Sequence, residues 1–253
     1  MADEHTHKTD ESRRQFLKNS GYFAGGLVGG GILGSVIGWQ VDDNAETKGQ
    51  NQDGNQGGKQ DYNRALKFFK NRAAFERLGA ATERIFPEDD NGPGAIALGV
   101  PYFIDHELAG EYGNNEKVYM KGPFREGTEF QGFQSRLKRK EIFMQGLMAI
   151  EKESQNEFND SFINLEAEQQ DQILSRFAKD EVKLKGVKAS TFFGLLREAT
   201  LAGAYSDPLY GGNTNMDGWR MKNFPGSKMS YIEEIESEDF VEMEPSALYD
   251  HLH

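Results

Sequence analysis

An aromatic, glycine-rich segment spans residues 203–226, which read GAYSDPLYGGNTNMDGWRMKNFPG. Asp207-Pro208 ends the preceding helical pattern, because a residue before proline is disfavoured in the α-helical conformation. Gly211-Gly212-Asn213 permits positive φ angles and a close approach of the backbone. Four aromatic residues provide large anchors: Tyr205, Tyr210, Trp219 and Phe224. We therefore expect a long ordered loop that packs on a fixed surface, either the domain's own core or a partner.

Apolar residues recur at helical spacing on the N-terminal side of this loop. The first run starts after a potential N-cap at Asp61 and ends before Pro87. A turn-rich segment follows at residues 87–94. The apolar positions of this first predicted helix are Leu66, Phe69, Ala73, Leu78, Ala81 and Ile85.

Four further helices are predicted, and loop-like residues 109–127 separate the first of them from the second. The first, short helix contains Phe103, Ile104 and Leu108, and the second, long helix contains Phe133, Leu137, Ile142 or Phe143, Leu147 and Ile150. The third follows a cap at Asn164 and contains Ile173, Leu174 and Phe177. The fourth follows a cap at Ser190 and contains Phe193, Leu196, Arg197 and Leu201. No stretch shows sustained alternation of β-branched residues, so few strands are expected. The predicted fold of residues 61–230 is mainly α, an irregular helical bundle with long loops.

The first 41 residues have the features of an export signal. Residues 12–18 read SRRQFLK, and an uncharged, glycine-rich run follows. Paired arginines before such a run are typical of a twin-arginine signal, which exports proteins already folded in the cytoplasm. The residues that carry this prediction are Arg13, Arg14, Phe16, Leu17 and Lys18. The alternative is a basic N-terminus before an ordinary secretory signal or anchor.

The run from Gly21 to Val41 is nearly long enough to span a bilayer, since a helix needs about 20 apolar residues to do so. Its many glycines weaken helix propensity, and no clear cleavage site follows it. Cleavage and retention as an N-terminal membrane anchor therefore both stay open. We expect the protein at the outer face of the cytoplasmic membrane, at the cell surface or in the periplasm.

Charge and composition exclude several classes of function. The 253 residues carry a net charge of -12 and no cysteine. An acidic protein is repelled by phosphate backbones, so nucleic acid is not an expected partner. The lack of cysteine excludes disulfides, thiolate metal sites and covalent c-type haem attachment. Residues 42–60 are predicted to be a flexible polar linker, and residues 231–253 an acidic tail that is solvated or disordered.

The loop contains three short motifs: Ser206-Asp207-Pro208-Leu209-Tyr210-Gly211-Gly212-Asn213, Gly218-Trp219 and Phe224-Pro225-Gly226. They resemble the signature of the gluconate 2-dehydrogenase subunit 3 family. Two earlier segments are also similar to that family: Phe192 to Thr200, and Leu78 to Pro87. Residues 220–223 depart from the more apolar, glycine-containing run expected before Phe-Pro-Gly.

The resemblance implies a small, non-catalytic subunit that accompanies an FAD-dependent dehydrogenase of the glucose–methanol–choline type. Such enzymes oxidise sugars, sugar acids or related alcohols. The resemblance also implies that FAD lies in the catalytic subunit, that a cytochrome c subunit with haem takes the electrons, and that this chain binds no cofactor. The small subunit would engage the twin-arginine translocase, carry the folded catalytic subunit across and stabilise it at the membrane.

The residues assigned to partner binding or loop anchoring are Asp207, Pro208, Tyr210, Gly211, Gly212, Asn213, Gly218, Trp219, Phe224, Pro225 and Gly226. No catalytic or metal-binding residue is predicted. His106 is the one histidine within the predicted helical domain, and a hydrogen-bonded structural role is simpler for it than that of a base or ligand.

Two alternatives stay open for the loop. Asp207, Asn213 and Asp217 could surround a cation such as Ca²⁺, although turn capping is the simpler role. The alternative function is a self-contained exported binding protein or enzyme that uses residues 203–226 as its pocket.

Overall fold

The structure is a computed structural model, and it describes residues 64–125, 128, 131, 135–232, 234–239 and 241–251. Three predicted features lie outside the described residues: the export signal with Arg13, Arg14, Phe16, Leu17 and Lys18, the linker 42–60, and the helix cap Asp61.

Seven α-helices form the described part of the chain: α1 (Arg72–Ile85), α2 (Val100–Ala109), α3 (Glu111–Asn114), α4 (Arg139–Phe158), α5 (Ala167–Ala178), α6 (Ala189–Tyr205) and α7 (Asp217–Arg220). Four 3₁₀ turns connect or follow them: Phe162–Asn164, Pro208–Tyr210, Thr214–Met216 and Leu248–His251. The described residues form isolated β-bridges but no strand. The prediction of a mainly α bundle with long loops is confirmed. None of the described helices is long and apolar enough to cross a membrane.

Helix α6 lies at the centre of the bundle and contacts α1, α2, α4 and α5. The fully buried ring of Phe192 on α6 packs edge-to-face on Phe143 of α4 and Phe177 of α5, with centroid separations of 5.9 and 5.6 Å. Such aromatic pairs stabilise a core beyond the area they bury. This cluster joins α4, α5 and α6.

The helical periodicity predicted about half of the buried hydrophobic residues in the described part of the chain. The buried residues that were predicted to face inward are Phe69, Leu78, Ala81, Ile85, Ile104, Leu108, Ile142, Phe143, Leu147, Ile150, Ile173, Leu174, Phe177, Phe193 and Leu196. Leu66 and Ala73 are exceptions, because both are exposed; Leu66 lies before α1.

The first helix begins later than predicted, at Arg72 instead of near Asp61. Its cap is Asn71, whose side-chain oxygen accepts a hydrogen bond from the Ala73 N–H at 2.9 Å. Residues 67–69 are not helical, because their N–H groups donate to the buried carboxylate of Asp105 at 2.6 to 3.0 Å. A buried carboxylate needs such donors, and this contact overrides the local helical periodicity.

Three other helix starts were also predicted wrongly. Helix α4 begins at Arg139 instead of near Phe133. At this start, the Asn115 side-chain oxygen accepts a hydrogen bond from the Arg139 N–H at 3.0 Å. Asn164 closes a 3₁₀ turn, and α5 starts after Glu166 instead.

Ser190 lies inside the first turn of α6 and is not its cap. Its N–H and hydroxyl both donate to the carboxylate of Asp180, at 2.7 and 2.8 Å. The acceptor for the start of α6 therefore comes from the preceding turn.

The carboxylate of Glu151 on α4 joins three elements. It accepts hydrogen bonds from the Arg77 guanidinium of α1 at 2.9 Å, the Ser161 hydroxyl at 3.1 Å and the Phe162 N–H at 3.3 Å. Burial alone would raise the pKa of Glu151, but these donors favour the carboxylate and the pKa is lowered from 4.5.

We expect Glu151→Gln to lower the free energy of unfolding by about 1 to 2 kcal/mol at neutral pH, because the three donors lose their charged acceptor. The folded-state pKa is lowered, so the stabilisation by Glu151 is complete above its ordinary pKa of 4.5 and is lost as the pH falls through the folded value. The difference between parent and variant should therefore shrink in acid. Urea denaturation from about pH 7 to about pH 3 measures it.

The matched control is Glu76→Gln. Glu76 pairs with Arg72 at a similar 2.8 Å, but the two side chains are 45% and 75% exposed. Exposed pairs contribute little, so this change should cost less than about 0.5 kcal/mol. Equal losses in both variants, or a Glu151→Gln loss that is independent of pH, would contradict the assignment.

Candidate functional site

Residues 206–226, here called the signature loop, cover the C-terminal end of α6. The last carbonyls of a helix have no donors within the helix. The Trp219 indole N–H donates to the Tyr205 carbonyl at 2.8 Å, and the Asn213 side-chain amide donates to the Ser206 carbonyl at 2.8 Å. The Ser206 hydroxyl donates to the Gly203 carbonyl at 3.2 Å. The loop thus acts as a cap that satisfies the end of the central helix.

Two glycines allow the backbone of the signature loop to pass directly over this helix end. A Cβ atom on Gly212 would lie 2.2 Å from the Gly203 carbonyl oxygen. A Cβ atom on Gly218 would lie 2.0 Å from the Ala204 carbonyl oxygen. Both distances are too short for any side chain, so the close approach requires glycine at both positions.

Asp207 and Asn213 cap turns within the site. Asn213 is fully buried with φ 48°, and its side-chain oxygen accepts from the Gly218 N–H at 2.8 Å. Asp207 accepts from the Leu209 N–H at 2.9 Å and from the Leu248 N–H at 2.8 Å. Turn capping is thereby confirmed for both side chains.

The alternative of a shared cation site has no support in this geometry. Asp217 pairs instead with Arg220 at 3.1 Å, and the oxygens of Asp207 and Asn213 already accept backbone N–H groups. No group of three or more His, Asp or Glu side chains suited to a metal ion occurs within the described residues.

The predicted aromatic anchors differ in burial. Trp219 is 6% exposed and packs edge-to-face on Phe224 at a centroid separation of 5.4 Å. Tyr205 packs edge-to-face on Phe86 at 5.8 Å. Tyr210, by contrast, is 53% exposed. Trp219 therefore anchors the signature loop to its own domain, whereas Tyr210 faces solvent and its role in partner binding stays a prediction.

The opposite side of the signature loop contacts the connection between α1 and α2. The Thr214 N–H donates to the Leu98 carbonyl at 3.0 Å. The turn before Leu98 is held by Glu83, which accepts from the N–H groups of Ile96 at 2.8 Å and Glu88 at 3.2 Å. Burial raises the pKa of Glu83, although these two hydrogen bonds oppose the shift. The loop is therefore fixed from two sides.

The profile of the gluconate 2-dehydrogenase subunit 3 family matches residues 73–226. This match starts in α1 and ends at Gly226, the last residue of the signature loop. The chain belongs to this family. Membership assigns it to a subunit of an oxidoreductase complex. No curated protein sequence and no solved structure matches the chain.

Beyond the family match, part of the acidic tail (residues 231–253) packs back on the signature loop. The Ser227 N–H donates to the Ser246 carbonyl at 2.7 Å, and the Ser246 N–H donates to the Pro225 carbonyl at 3.2 Å. Ala247 is fully buried. The prediction of a solvated or disordered tail is therefore wrong for residues 246–248, because the loop offers backbone partners that the tail sequence does not reveal.

The run that departs from the family pattern links the loop to the tail. Arg220 pairs with Glu244 of the tail at 3.3 Å and with Asp217 of α7 at 3.1 Å. The Lys222 ammonium lies 5.6 Å from the centre of the Tyr205 ring at the end of α6. A groove of about 510 Å³ separates loop and tail, and its lining is Arg220, Asn223, Phe224, Pro225, Val241, Glu242, Met243, Glu244 and Pro245.

His106 has the structural role that was predicted for it. Its Nε2 atom lies 3.0 Å from the Ala65 carbonyl oxygen, and its Nδ1 atom lies 3.5 Å from the Lys67 ammonium. The ring therefore holds the segment before α1, next to the backbone N–H groups bound by Asp105. Sequence reasoning missed Asp105 itself, although an acidic residue at a core position of an apolar helix was the available signal.

We expect Gly218→Ala to lower the free energy of unfolding by about 1 to 3 kcal/mol, because the added methyl group collides with the Ala204 carbonyl. The matched control is Gly194→Ala in α6, where a Cβ atom would meet nothing within 4 Å. This change should raise the free energy of unfolding by about 0.5 to 1 kcal/mol, since alanine favours a helix. Chemical denaturation of both variants measures the difference; effects of the same sign would contradict the proposed close approach.

We expect Trp219→Ala to cost about 3 kcal/mol or more of stability, because it removes a buried ring and a donor to the end of α6. Trp219→Phe keeps an aromatic ring and should cost about 1 kcal/mol for the lost hydrogen bond. Tyr210→Ala is the exposed control and should change stability by less than about 0.5 kcal/mol. A Trp219→Ala variant that melts like the parent would show that Trp219 does not anchor the loop.

Proposed function

We propose that this chain is the non-catalytic small subunit of an exported, FAD-dependent dehydrogenase complex. The observation that carries the proposal is the family match over residues 73–226. The catalytic partner would be a flavoprotein of the glucose–methanol–choline type that oxidises a CH–OH group of a sugar, sugar acid or related alcohol. A cytochrome c subunit would accept the electrons.

The twin-arginine motif supports a role in co-export. Arg13 and Arg14 precede Phe16-Leu17-Lys18 and a weakly hydrophobic run, as this export route requires. The route carries folded proteins, so a flavoprotein could acquire FAD and bind this chain in the cytoplasm before both cross the membrane together. The complex would then act at the outer face of the membrane, at the cell surface or in the periplasm. The segment from Gly21 to Val41 would hold it to the membrane if it is not cleaved.

The geometry of the signature loop supports a role as a stabilising scaffold. The loop is fixed by hydrogen bonds to the end of α6 and to Leu98, while Tyr210 and Phe224 remain about half exposed. A surface that is already ordered loses little conformational entropy on binding. Such a surface suits the support of a larger subunit.

The alternative, a self-contained binding protein with its pocket inside the loop, has less support. Trp219 and Asn213 fill the inner side of the signature loop. The cavity beside Gly99 and Tyr102 measures about 200 Å³, below the roughly 300 to 1,000 Å³ of typical small-molecule sites. The groove of about 510 Å³ is large enough for a ligand, but it lies between the signature loop and the tail and not inside the loop.

Co-expression with the candidate flavoprotein tests the proposal directly. The purified parent should carry a flavoprotein with it, detected by flavin absorbance and by dehydrogenase activity with an artificial electron acceptor. Deletion of this chain should leave that flavoprotein in the cytoplasm. Recovery of the parent alone, together with normal export of the dehydrogenase in the deletion strain, would reject the proposal.

We expect the double change Arg13→Lys and Arg14→Lys to leave both subunits in the cytoplasm, because the translocase recognises paired arginines and not charge alone. The matched control is Lys48→Arg with Lys59→Arg, which makes two exchanges of the same kind in the linker and should not alter export. Cell fractionation with an activity assay of each fraction measures the distribution. Continued export of the pair in the first variant would exclude a carrier role for this chain.

A further inference from the structure

The negative charge of the folded part of this protein is concentrated in its acidic tail. Residues 64–230 contain 24 Asp and Glu against 23 Lys and Arg, so they are nearly neutral. Residues 231–253 contain eight acidic residues and no Lys or Arg. The tail therefore creates a strong local negative field on an otherwise balanced surface.

Exposed apolar side chains are concentrated in the same region. The described part of the chain exposes fifteen large hydrophobic residues, and ten of them lie in residues 207–251. This segment makes up about a quarter of the described residues. In the tail, Ile232 and Ile235 are 79% and 77% exposed, and they alternate with acidic residues. A clustered set of exposed apolar residues marks an interaction surface more often than a solvated end.

The tail is held against the signature loop. The Leu248 N–H binds Asp207 at 2.8 Å, and Glu244 pairs with Arg220 at 3.3 Å. Near its start, Glu234 lies 3.8 Å from the Lys228 ammonium. The exposed apolar residues of the tail are thus displayed beside the loop in a defined arrangement.

We infer that the acidic tail, together with the exposed edge of Phe224, binds the catalytic flavoprotein through a basic surface patch that also presents apolar side chains. The inference rests on the proposed function and names the surface that performs it. The tail contains eight carboxylates and no Lys or Arg, and Arg220 and Lys228 pair with Glu244 and Glu234. The remaining negative charge favours a positively charged counterpart, and the interspersed isoleucines favour an apolar one.

Charge favours a basic flavoprotein surface over two other possible partners of the tail, a second copy of this chain and an anionic membrane. A second copy of the chain would bring two identical acidic tails together, and like charges oppose such contact. Anionic lipid headgroups would repel the tail in the same way. The tail also lies outside residues 73–226, which the family profile matches. We therefore assign to the tail the selection of the flavoprotein that pairs with this chain.

The first test compares two variants with the same loss of charge. The tail variant is Glu236→Gln, Glu238→Gln, Asp239→Asn and Glu242→Gln, and the control variant is Glu88→Gln, Asp90→Asn, Glu116→Gln and Glu168→Gln. All eight side chains are exposed, so both variants should melt like the parent. The dissociation constant for the purified flavoprotein is measured for each variant at low and at high salt.

The tail variant should bind the flavoprotein about tenfold more weakly at low salt, and its affinity should depend less on salt than that of the parent. The control variant should bind within about threefold of the parent, since the charges removed lie outside the interface. A control variant that weakens binding as much as the tail variant would show that only net charge matters, and this would overturn the inference.

The second test addresses the apolar part of the surface. Ile235→Ser should weaken binding about tenfold, because it removes an exposed apolar contact of the interface. Met148→Ser on α4 is the control; Met148 is 65% exposed and lies outside the tail, so binding should not change.

The possible failures can be told apart. If the parent binds the flavoprotein and the tail variant binds it with the same affinity and salt dependence, the inference is wrong and the proposed function stands. If the parent binds no flavoprotein, both are rejected. If the parent chain alone forms dimers that the tail variant abolishes, the tail binds a second copy and the inference is overturned.

Discussion

The carbonyl groups at the end of α6 impose the constraint on which the rest of the structure depends. This helix lies at the centre of the bundle, and its last carbonyls have no donors within the helix. The signature loop supplies them through the Trp219 indole and the Asn213 amide. The loop can do so only because Gly212 and Gly218 let its backbone lie against the helix end. Once the loop is fixed in this way, it provides Asp207 and Pro225 as partners for the tail.

Acidic residues serve two different purposes in this protein. Within the helical domain, several carboxylates accept hydrogen bonds from backbone N–H groups that would otherwise lack partners. Asp105 accepts hydrogen bonds from three backbone N–H groups, and Asp180 accepts one from the first turn of α6. Glu83 accepts a hydrogen bond from the Ile96 N–H in the turn before α2. Asp180 acts at the start of a helix, whereas Asp105 and Glu83 hold segments that are not helical. In the tail, most carboxylates are exposed, so their charge is available to a partner.

The family match and the acidic tail divide the folded part of the chain into two segments. The family match ends at Gly226, so it contains the helices and the loop that caps α6. The tail follows directly and is attached through Ser246, Leu248 and Glu244. In the inferred interface, the helical scaffold would support the catalytic subunit and the attached tail would help to recognise it. The charged run from Arg220 to Asn223 fits this view, because Arg220 is the residue that pairs with the tail.

The sequence by itself determined the helical fold class, about half of the core and the family, and it predicts an export signal. Leu78, Ile104 and Leu147 could be assigned to the core because burial on one face of a helix repeats with local periodicity. The signature loop could be located because its glycines, proline and aromatic residues are local features. The predicted twin-arginine motif is likewise linear, so it can be located without a fold.

Only the tertiary structure decided where helices begin, which aromatic residue is buried and what becomes of the tail. Helix starts depend on acceptors that arrive from elsewhere in the chain, as Asp180 does for α6 and Asn115 for α4. Trp219 is buried because the loop backbone crosses the end of α6 at this residue, where the indole N–H binds the Tyr205 carbonyl. Tyr210 is exposed. Such contacts join residues far apart in the sequence. A local sequence pattern therefore cannot identify the distant backbone group that a side chain will contact.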